Sequence, residues 1–417
     1  MKKLGSKLQE KLTDLKVEFI AATLRGLAKV ELQRHPRCII VITGSVGKTT
    51  TKALVSSVLA QAHRTRATDG NTNDRTGVPS TILNEPNIVT IKSLARCLPR
   101  VLARIFSRDP REEYLALEIG AKRPGQIAKH FRAFKPDIAI VTTVGASHLE
   151  TLGTVDDVAH EKSKVITSLS RGGIAVLCAD DQRVSDMAHL HEGKTLLFGF
   201  NVKADVQTIN FQRGKSGLIA FIEDGVGTHE LHLPSIHNRH HLYSVMAAWC
   251  IGMAAGVPQE QMAKALTSAA PRPGRGSITT GSSGTLVYDD SFNANPVSLS
   301  AALDTLKVIA SGRRRVAILG DMLELGRLSL DLHREMGMYA ARCSDVLITV
   351  GEFAEAYREG FTAVEQAATC IICKDLDHLT STLNVELQCG DVILFKGSHG
   401  TGLFNVARDI KIRIDDW

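Results

Sequence analysis

The sequence lacks the segments that would direct a protein to a membrane or anchor it there. No apolar run among its 417 residues reaches the roughly 18 residues needed to span a bilayer, so we expect no transmembrane segment. The opening residues, MKKLGSKLQEKLTDLK, contain no apolar segment of the kind found in signal peptides. Together these absences argue against a secreted or membrane-spanning protein and favour a cytoplasmic one.

A large excess of one charge is also lacking. The 50 basic and 44 acidic residues leave a net charge of +6 over the whole chain. So small an excess gives no argument for nucleic-acid binding, although it is compatible with an anionic small-molecule substrate. With 44% hydrophobic and 23% charged residues, the composition excludes disorder and collagen-like structure, and the length predicts two or three domains.

The cysteines form neither a disulfide framework nor a recognisable zinc site. Cys370 and Cys373 make a CxxC pair inside the apolar segment TCIICK, but a zinc site would need a second pair at a suitable spacing. We expect a buried strand at this segment and reduced thiols throughout, as in a cytoplasm. The other cysteines are scattered, at Cys38, Cys97, Cys178, Cys250, Cys343 and Cys389.

The first 34 residues predict a helix. An apolar stripe arises from spacings of three and four between Leu8, Leu12, Leu15, Phe19 and Ala22. The favoured interpretation is a helix that packs through this stripe on the domain that follows. The alternative is a weak peripheral contact with a membrane surface, or a contact between copies of the chain.

From Cys38 onwards, short apolar strands alternate with helices. This rhythm predicts an α/β protein with a mostly parallel sheet covered by helices on both faces. Strand-rich sequence between about 200 and 235 predicts a small antiparallel insert or edge. The segment PRPGRGS, at 271–277, is the best linker candidate, and the alternation restarts beyond it. We therefore expect an N-terminal helical segment (1–36), a larger α/β domain (37–272) and a smaller Rossmann-like C-terminal domain (273–417).

The segment GSVGKTTTK, residues 44–52, follows an apolar strand and opens a helix, as a phosphate-binding loop does. Gly44 and Gly47 allow a tight turn whose amide groups, with the positive end of the helix dipole, hold phosphate oxygens. Lys48 would reach the outer phosphates, and the hydroxyl of Thr49 would bind Mg²⁺. The loop alone predicts a P-loop NTPase-type domain that binds and hydrolyses a nucleotide. An unrelated glycine-rich turn is the alternative.

Nine further motifs follow in order, and with the loop they resemble the Mur ligase family over residues 37 to about 410. The motifs are NTNDRTGVPSTIL (71–83), LEIGAKRPGQI (117–127), PDIAIVTTVGASHLETLGT (136–154), EKSKV (161–165), HNRHHLYSVMAAW (237–249), PRPGRGS (271–277), VYDDSFNANPVSLSAAL (287–303), AILGDMLELG (317–326) and FKGSHG (395–400). The DDSFNAN and GDMLELG elements resemble the MurF branch, whose members join UDP-N-acetylmuramoyl-tripeptide to D-alanyl-D-alanine.

The resemblance implies an ATP-dependent, ADP-forming ligase that makes an amide bond. A small-molecule carboxylate would be activated as an acyl phosphate and then attacked by an amine. Positively charged side chains and amide donors meet the need to stabilise charge on phosphoryl oxygens. Two other interpretations stay open, namely a genuine cell-wall ligase and a non-catalytic nucleotide-binding protein that kept the fold.

The resemblance also assigns roles to residues around ATP and two Mg²⁺ sites. The catalytic set would be Lys48, His148, Lys162 and Arg275. The nucleotide contacts would be Gly44, Ser45, Gly47, Lys48, Thr49, Thr50, His237, Asn238, Arg275 and Asp290. Thr49 and Glu118 would bind the first Mg²⁺, and His148 with a carbamylated Lys162 the second. Two simpler interpretations remain: Lys162 as a solvated charge, and Asp289 in place of Asp290.

Substrate contacts are implied on both sides of the reaction. They would be made by Asn73, Asn293, Asn295, Glu324, Lys396 and His399. Asn295 precedes a proline and could equally form a turn.

The sequence departs from the MurF pattern in two places, and both concern substrate. About 36 residues precede the loop strand, which is too few for the UDP-sugar-binding domain of that branch. The family's KGSR turn is KGSH here, so His399 stands where an arginine would grip a carboxylate with its fork. We therefore expect a MurF-like ligase whose substrates are not the standard pair.

Overall fold

The computed structural model describes residues 2–70, 72–201, 203–214, 216–364 and 369–412, with side chains from residue 13 to 411 except Asp14. The α-helices of these residues are α1 (Lys2–Arg34), α2 (Lys48–Leu59), α3 (Gly77–Ile82), α4 (Ile91–Phe106), α5 (Gln126–His130), α6 (Leu149–Leu152), α7 (Val155–Thr167), α8 (Gln182–Ser185), α9 (His241–Ala254), α10 (Gln259–Thr267), α11 (Pro296–Ala310), α12 (Ser329–Ala341), α13 (Ala354–Thr362), α14 (Leu376–Glu386) and α15 (Leu403–Ile412).

A large sheet occupies the first half of the chain. Its strands are β1 (Cys38–Thr43), β2 (Thr65–Ala67), β3 (Tyr114–Glu118), β4 (Ile138–Val141), β5 (Ile174–Cys178), β6 (Lys194–Gly199), β7 (Val206–Arg213), β8 (Leu218–Glu223) and β9 (Thr228–Leu233). They lie in the order β2-β3-β1-β4-β5-β6-β7-β8-β9. Strands β2 to β7 pair in parallel, whereas β8 and β9 add an antiparallel edge, as predicted.

A second sheet occupies the last third. Its strands are β10 (Ser277–Thr280), β11 (Leu286–Asp289), β12 (Arg315–Gly320), β13 (Val346–Val350), β14 (Thr369–Cys373) and β15 (Val392–Lys396). They lie in the order β10-β11-β15-β12-β13-β14, and only β10 pairs antiparallel. Neighbouring residues of β11 enter different cores, Val287 on one face and Tyr288 on the other, because successive strand side chains alternate. The predicted α/β fold with mostly parallel sheets is confirmed.

Helix α1 packs on α3 and α4 through a different face from the one predicted. Leu15 and Phe19 of the predicted stripe are 67% and 61% exposed, while Ile20 and Leu24 enter the first core. The side chains of Leu8 and Leu12 lie outside the described residues. The packed face has a helical apolar spacing of its own, and it ends at buried Glu31, which pairs with Arg37 and Arg111. The sequence thus offers two apolar faces on α1, and the predicted one was wrong.

The TCIICK segment forms strand β14, as predicted, but the strand lies at the edge of its sheet. Cys373 is buried and Cys370 only half-buried, since one side of an edge strand has no neighbour. The expectation of a fully buried strand is thus corrected. Among the helices of the described residues, none combines the length and apolarity needed to cross a bilayer.

Candidate active site

The carboxyl ends of the parallel strands open onto one large cleft between the two sheets. The cleft has a volume of about 840 Å³ and is lined from both halves of the chain. Loops after β1, β3 and β4 supply one wall, and those after β11, β12 and β15 supply the other, as is usual for ligand sites in α/β proteins. All of the predicted site residues line this cleft except Gly44 and His237.

The loop between β1 and α2 is built from strained backbone that only glycine accommodates well. Gly44 and Gly47 have φ values of 149° and 86°. A Cβ on Gly44 would lie 1.8 Å from Oγ1 of Thr142, so β4 packs directly against the loop. The hydroxyl of Ser45 lies 3.1 Å from the carbonyl oxygen of Gly145, which fixes the loop to the next strand's end. The first amides of α2 therefore face the cleft, where the helix dipole favours an anion.

Two lysines converge beneath this loop. Nζ of Lys48 and Nζ of Lys162 donate to the same carbonyl oxygen, that of Gly44, at 2.7 and 3.0 Å. Burial lowers the pKa of both amines, and for Lys162 the charge of Lys48 lowers it further, well below the ordinary value. The lysine predicted to be carbamylated is therefore buried in the site, rather than solvated on the surface of α7.

Glu118, at the end of β3, is a buried carboxylate in contact with Thr49, the second residue of α2. Its Oε1 accepts from Asn73 at 2.9 Å and from the Thr49 hydroxyl at 3.3 Å. Burial acts to raise the pKa of Glu118, but Lys52 and Lys48 more than offset this effect and hold the pKa below its usual value. Oε2 has no hydrogen-bond partner and lies 3.2 Å from Nζ of Lys52.

Lys52 was missed by the sequence reasoning. Its side chain is fully buried and donates to the carbonyl oxygen of Gly70 at 2.6 Å. The available signal was its position in α2, where Lys52 shares the buried face with Thr49 and Val55. A lysine at a buried helical position requires an anionic partner, and Glu118 is that partner.

His148 and Glu324 join the two halves of the chain. Nδ1 of His148 forms a short hydrogen bond with Oε2 of Glu324, whose Oε1 accepts from Lys122 at 2.7 Å. The hydrogen bond from His148 holds the pKa of Glu324 at about 2. Glu324 was predicted to contact substrate, but in this structure its carboxylate is shared between two side chains of the first half.

The adjacent aspartates Asp289 and Asp290 have different surroundings. Asp289 is buried away from the cleft, where it accepts from Lys411 at 2.7 Å and from the amide of Gly274 at 3.1 Å. Asp290 lines the cleft and pairs with Lys396 at 2.6 Å. Burial raises the pKa of the Asp290 carboxyl and lowers that of the Lys396 amine. Geometry therefore favours Asp290 over its neighbour as the site residue.

Arg275 and His399 meet at one aromatic ring. The guanidinium of Arg275 lies 4.2 Å from the centre of the Phe292 ring, and the ring of His399 stacks on Phe292 at 4.9 Å between centres. Phe292 was not predicted as a site residue. Its position in the DDSFNAN motif, between two predicted site residues, was the only available signal.

The side chains of Asn238 and Asn295 form hydrogen bonds mainly with backbone groups. Asn238 accepts from the amide of His240 at 2.7 Å and donates to Tyr288 and Ala301, so it bridges the two halves. Asn295 lines the cleft but caps α11, where it accepts from the amide of Ser298 at 2.9 Å, which is the turn-forming alternative. Asn293 lines the cleft and its carbonyl oxygen accepts from Lys396.

His237 lies outside the cleft, whereas His240 and His241 line it. A small apolar slot adjoins the phosphate loop next to His241, and its walls include Thr50, Ile236, Pro271 and Arg272. The slot lies between the first helix after the loop and the segment that leads to the second sheet.

Comparison with known proteins agrees with this geometry. The Mur ligase middle domain matches residues 42–252, and the Mur ligase glutamate ligase domain matches residues 274–399. The UDP-N-acetylmuramoyl-tripeptide–D-alanyl-D-alanine ligase of Mycobacterium tuberculosis (strain CDC 1551 / Oshkosh) is 31% identical over 93% of this chain and 76% of its own length. The ligase of the same name from Bacillus subtilis (strain 168) is 27% identical over 94% of this chain and 80% of its own length.

A solved structure extends the likeness to the nucleotide. The MurF ligase of Thermotoga maritima in complex with ADP superimposes with a TM-score of 0.79 at 25% identity, over 94% of this chain and 84% of that one. The phosphate loop, the cleft between two α/β halves and these matches agree. The chain belongs to the Mur ligase family and is an ATP-dependent ligase that forms amide bonds.

Proposed function

We propose that the cleft binds ATP with its phosphates on the amides of the loop that opens α2. Lys48 would hold the γ-phosphate, since its amine already lies beneath the loop. Arg275 and Asp290 would complete the site from the second half, at the γ-phosphate and the ribose. The apolar slot beside Thr50 and His241 suits a flat adenine ring. Asn238 lies close enough to contribute, whereas His237 would need a different arrangement of the loop before α9.

The donor set suits Mg²⁺ beside the phosphates. Among the described residues, no three His, Cys, Asp or Glu side chains converge on one point. Mg²⁺ commonly takes one or two protein oxygens together with substrate phosphates, and the Thr49 hydroxyl with Oε2 of Glu118, which accepts no hydrogen bond and lies beside Lys52, forms such a pair. Bound there, the ion would neutralise charge that develops on the phosphoryl oxygens.

We place a second Mg²⁺ near His148 and Lys162. An uncharged amine can react with CO₂ to form a carbamate, and the lowered pKa of Lys162 favours the uncharged form. The carbamate would supply anionic oxygen, which a hard cation prefers. ¹³C-bicarbonate labelling tests this assignment: a carbamate resonance is expected in the wild type and absent from Lys162→Gln. A spectrum without that resonance in the wild type would contradict it.

In the proposed reaction the acid's carboxylate attacks the γ-phosphorus, ADP leaves, and an acyl phosphate forms. The amine then attacks the acyl carbon, a proton is lost, and phosphate leaves. Lys48 and Arg275 would stabilise the transferring phosphoryl group, because their positive charges face it from opposite halves. Closure of the halves through Asn238 and Glu324 would exclude water, which otherwise hydrolyses an acyl phosphate.

The acid and amine would differ from UDP-N-acetylmuramoyl-tripeptide and D-alanyl-D-alanine. The observation that carries this proposal is His399, which occupies the position of the carboxylate-gripping arginine and stacks on Phe292. A histidine lacks the planar, five-donor guanidinium with which an arginine binds both oxygens of a terminal carboxylate. Helix α1 also contributes Val17 to the wall of the cleft, at the end occupied by Lys129 and His130.

The names of the relatives favour a second candidate, the cell-wall pair itself. The test measures ADP release with UDP-N-acetylmuramoyl-tripeptide and D-alanyl-D-alanine, and then with panels of acids and of amino acids and dipeptides. His399→Arg is the matched variant. We expect weak turnover with the cell-wall pair that improves in the variant. Fast wild-type turnover with that pair would overturn the proposed difference and leave the ligase assignment intact.

We also propose the division of the chain at residues 36/37 and 272/273, and a cytoplasmic location. The separate sheets and the two domain matches support the second boundary. The unpaired cysteines and the use of ATP support the location.

A further inference from the structure

Helices α1 and α4 each expose an apolar face to solvent. Among the described residues, sixteen large apolar side chains are exposed, and seven of them belong to these two helices or to Val89, just before α4. They are Leu15, Phe19 and Val30 of α1, Ile91, Leu102 and Phe106 of α4, and Val89. Such clustering is unlike the single scattered apolar residues of an ordinary surface.

The two faces adjoin each other at the ends of their helices. Nε of Arg34, the last residue of α1, donates to the carbonyl oxygen of Ile105 at 3.1 Å. The guanidinium of the same arginine lies 4.9 Å from the centre of the Phe106 ring. On α4 the exposed positions 91, 95, 99, 102 and 106 share one side, while Leu94, Val101 and other buried residues occupy the opposite side.

Among the side chains that the structure describes, the unpaired charge on these faces is positive. Lys16 and Lys29 of α1 and Lys92 and Arg96 of α4 are exposed, and none has an acidic partner among the described residues. Helix α4 contains no acidic residue at all. On the described part of α1, Glu31 is buried and Glu18 is paired with Arg25 and Arg75.

We propose that this surface, the α1–α4 face, binds an anionic lipid bilayer. Exposed leucine, isoleucine and phenylalanine flanked by lysine and arginine are the features of helices that lie in a membrane interface. A second copy of the chain would bring the unpaired cations of two such faces together, whereas anionic headgroups neutralise them. The inference does not depend on which acid and amine the ligase joins.

The α1–α4 face also adjoins one end of the catalytic cleft. Val17 of α1 and Val89, just before α4, both line that cleft. A bilayer on this face would therefore lie close to the part of the cleft wall that Val17 and Val89 form.

The test is sedimentation of the full chain with vesicles. One set contains phosphatidylglycerol and phosphatidylcholine, and the other contains phosphatidylcholine alone. We expect binding to the anionic vesicles only, decreasing with added salt because the attraction is partly electrostatic. We expect about a tenfold loss of binding in Leu15→Ser/Phe19→Ser and in Lys92→Glu/Arg96→Glu.

The matched control is Val308→Ser/Val385→Ser, which changes exposed apolar side chains in the second half of the chain and should bind like the wild type. ADP release without vesicles verifies that each variant is folded. Three results would overturn the proposal: no binding of the wild type to anionic vesicles, equal binding by the α1 and α4 variants, or a lipid-free dimer that the same substitutions dissociate.

Discussion

The side chains of His148 and Glu324 are hydrogen-bonded to each other across the cleft, although 176 positions separate them in the sequence. Both residues have left-handed backbone, with φ values of 55° and 65°, which is strained for residues other than glycine. The amide of Glu150 also donates to the carbonyl oxygen of Glu324 at 3.1 Å. We call this contact between His148 and Glu324 the junction. It links the second half of the chain to His148, which we place at a metal site.

Glu324→Gln tests whether this junction controls closure. The amide keeps the shape of the side chain but loses the charge that attracts Lys122. We expect kcat to fall about tenfold, equivalent to about 1.4 kcal/mol, with little change in ADP affinity, because the nucleotide loop is untouched. Steady-state ADP release and calorimetry measure the two quantities, and Glu260→Gln, at an exposed position of α10, is the control. Unchanged kcat would show that the junction has no role in turnover.

Lys52→Met should destabilise the chain by removing the nearest cation from buried Glu118. Breaking a buried pair on one side costs about 3–5 kcal/mol, because the remaining buried carboxylate loses its nearest cation. Lys52→Met/Glu118→Gln should recover part of that loss, as no unpaired charge is left. Urea unfolding of the wild type, both single variants and the double variant forms the complete cycle. Strictly additive effects would argue against the pairing.

Gly44→Ala should abolish nucleotide binding. The added Cβ would overlap Oγ1 of Thr142, and the φ of 149° disfavours any side chain, so the loop must move. We expect ADP affinity to fall by at least about 100-fold, a loss of about 2.8 kcal/mol, measured by calorimetry. Gly26→Ala on α1, where a Cβ meets nothing within 4 Å, is the control and should bind ADP normally. Normal binding by both variants would contradict the proposed loop.

The buried His130 predicts acid sensitivity. Burial lowers its pKa from 6.5 to about 4, so the folded chain holds it neutral while the unfolded chain takes up a proton. The unfolded state therefore binds more protons between pH 6.5 and 4, and the free energy of unfolding should fall as pH falls through that window. The contribution is at most about 1.4 kcal/mol per pH unit.

His130→Gln should reduce this slope, measured by chemical denaturation at several pH values. His240 and His241 have similarly lowered pKa values and would retain their share of the slope in the variant. A variant with the same slope as the wild type would show that His130 is not held neutral in the folded chain.

Much of the fold and the location of the site could be predicted from local sequence patterns. Apolar β-branched segments indicated the strands, and the motifs that carry Lys48, Glu118 and Asp290 all follow such segments. Parallel strands end at one edge of a sheet, which brings Lys48 and Glu118 to the same side of the first sheet, whereas the meeting with Asp290 of the second sheet was implied only by the family resemblance. The roles of the individual residues stay predictions.

The remaining features depend on contacts between distant segments. Helix α1 has two apolar faces, and which of them packs depends on its contacts with α3 and α4, which lie elsewhere in the chain. Lys52 is a charged residue at a buried position of helix α2, and the partner that stabilises it there, Glu118, lies on strand β3. Neither the separation of Asp289 from Asp290 nor the bond between His148 and Glu324 has a signature in local sequence.

ADP release from the wild type and from Lys48→Ala shows whether the chain is an ATP-dependent amide ligase, with Lys264→Ala at an exposed position of α10 as the control. We expect release to require both an acid and an amine, with an amide product in equal amount. We also expect a fall of about 100- to 1,000-fold in Lys48→Ala and none in the control. ADP release that is independent of acid and amine, or unchanged in Lys48→Ala, would contradict this assignment.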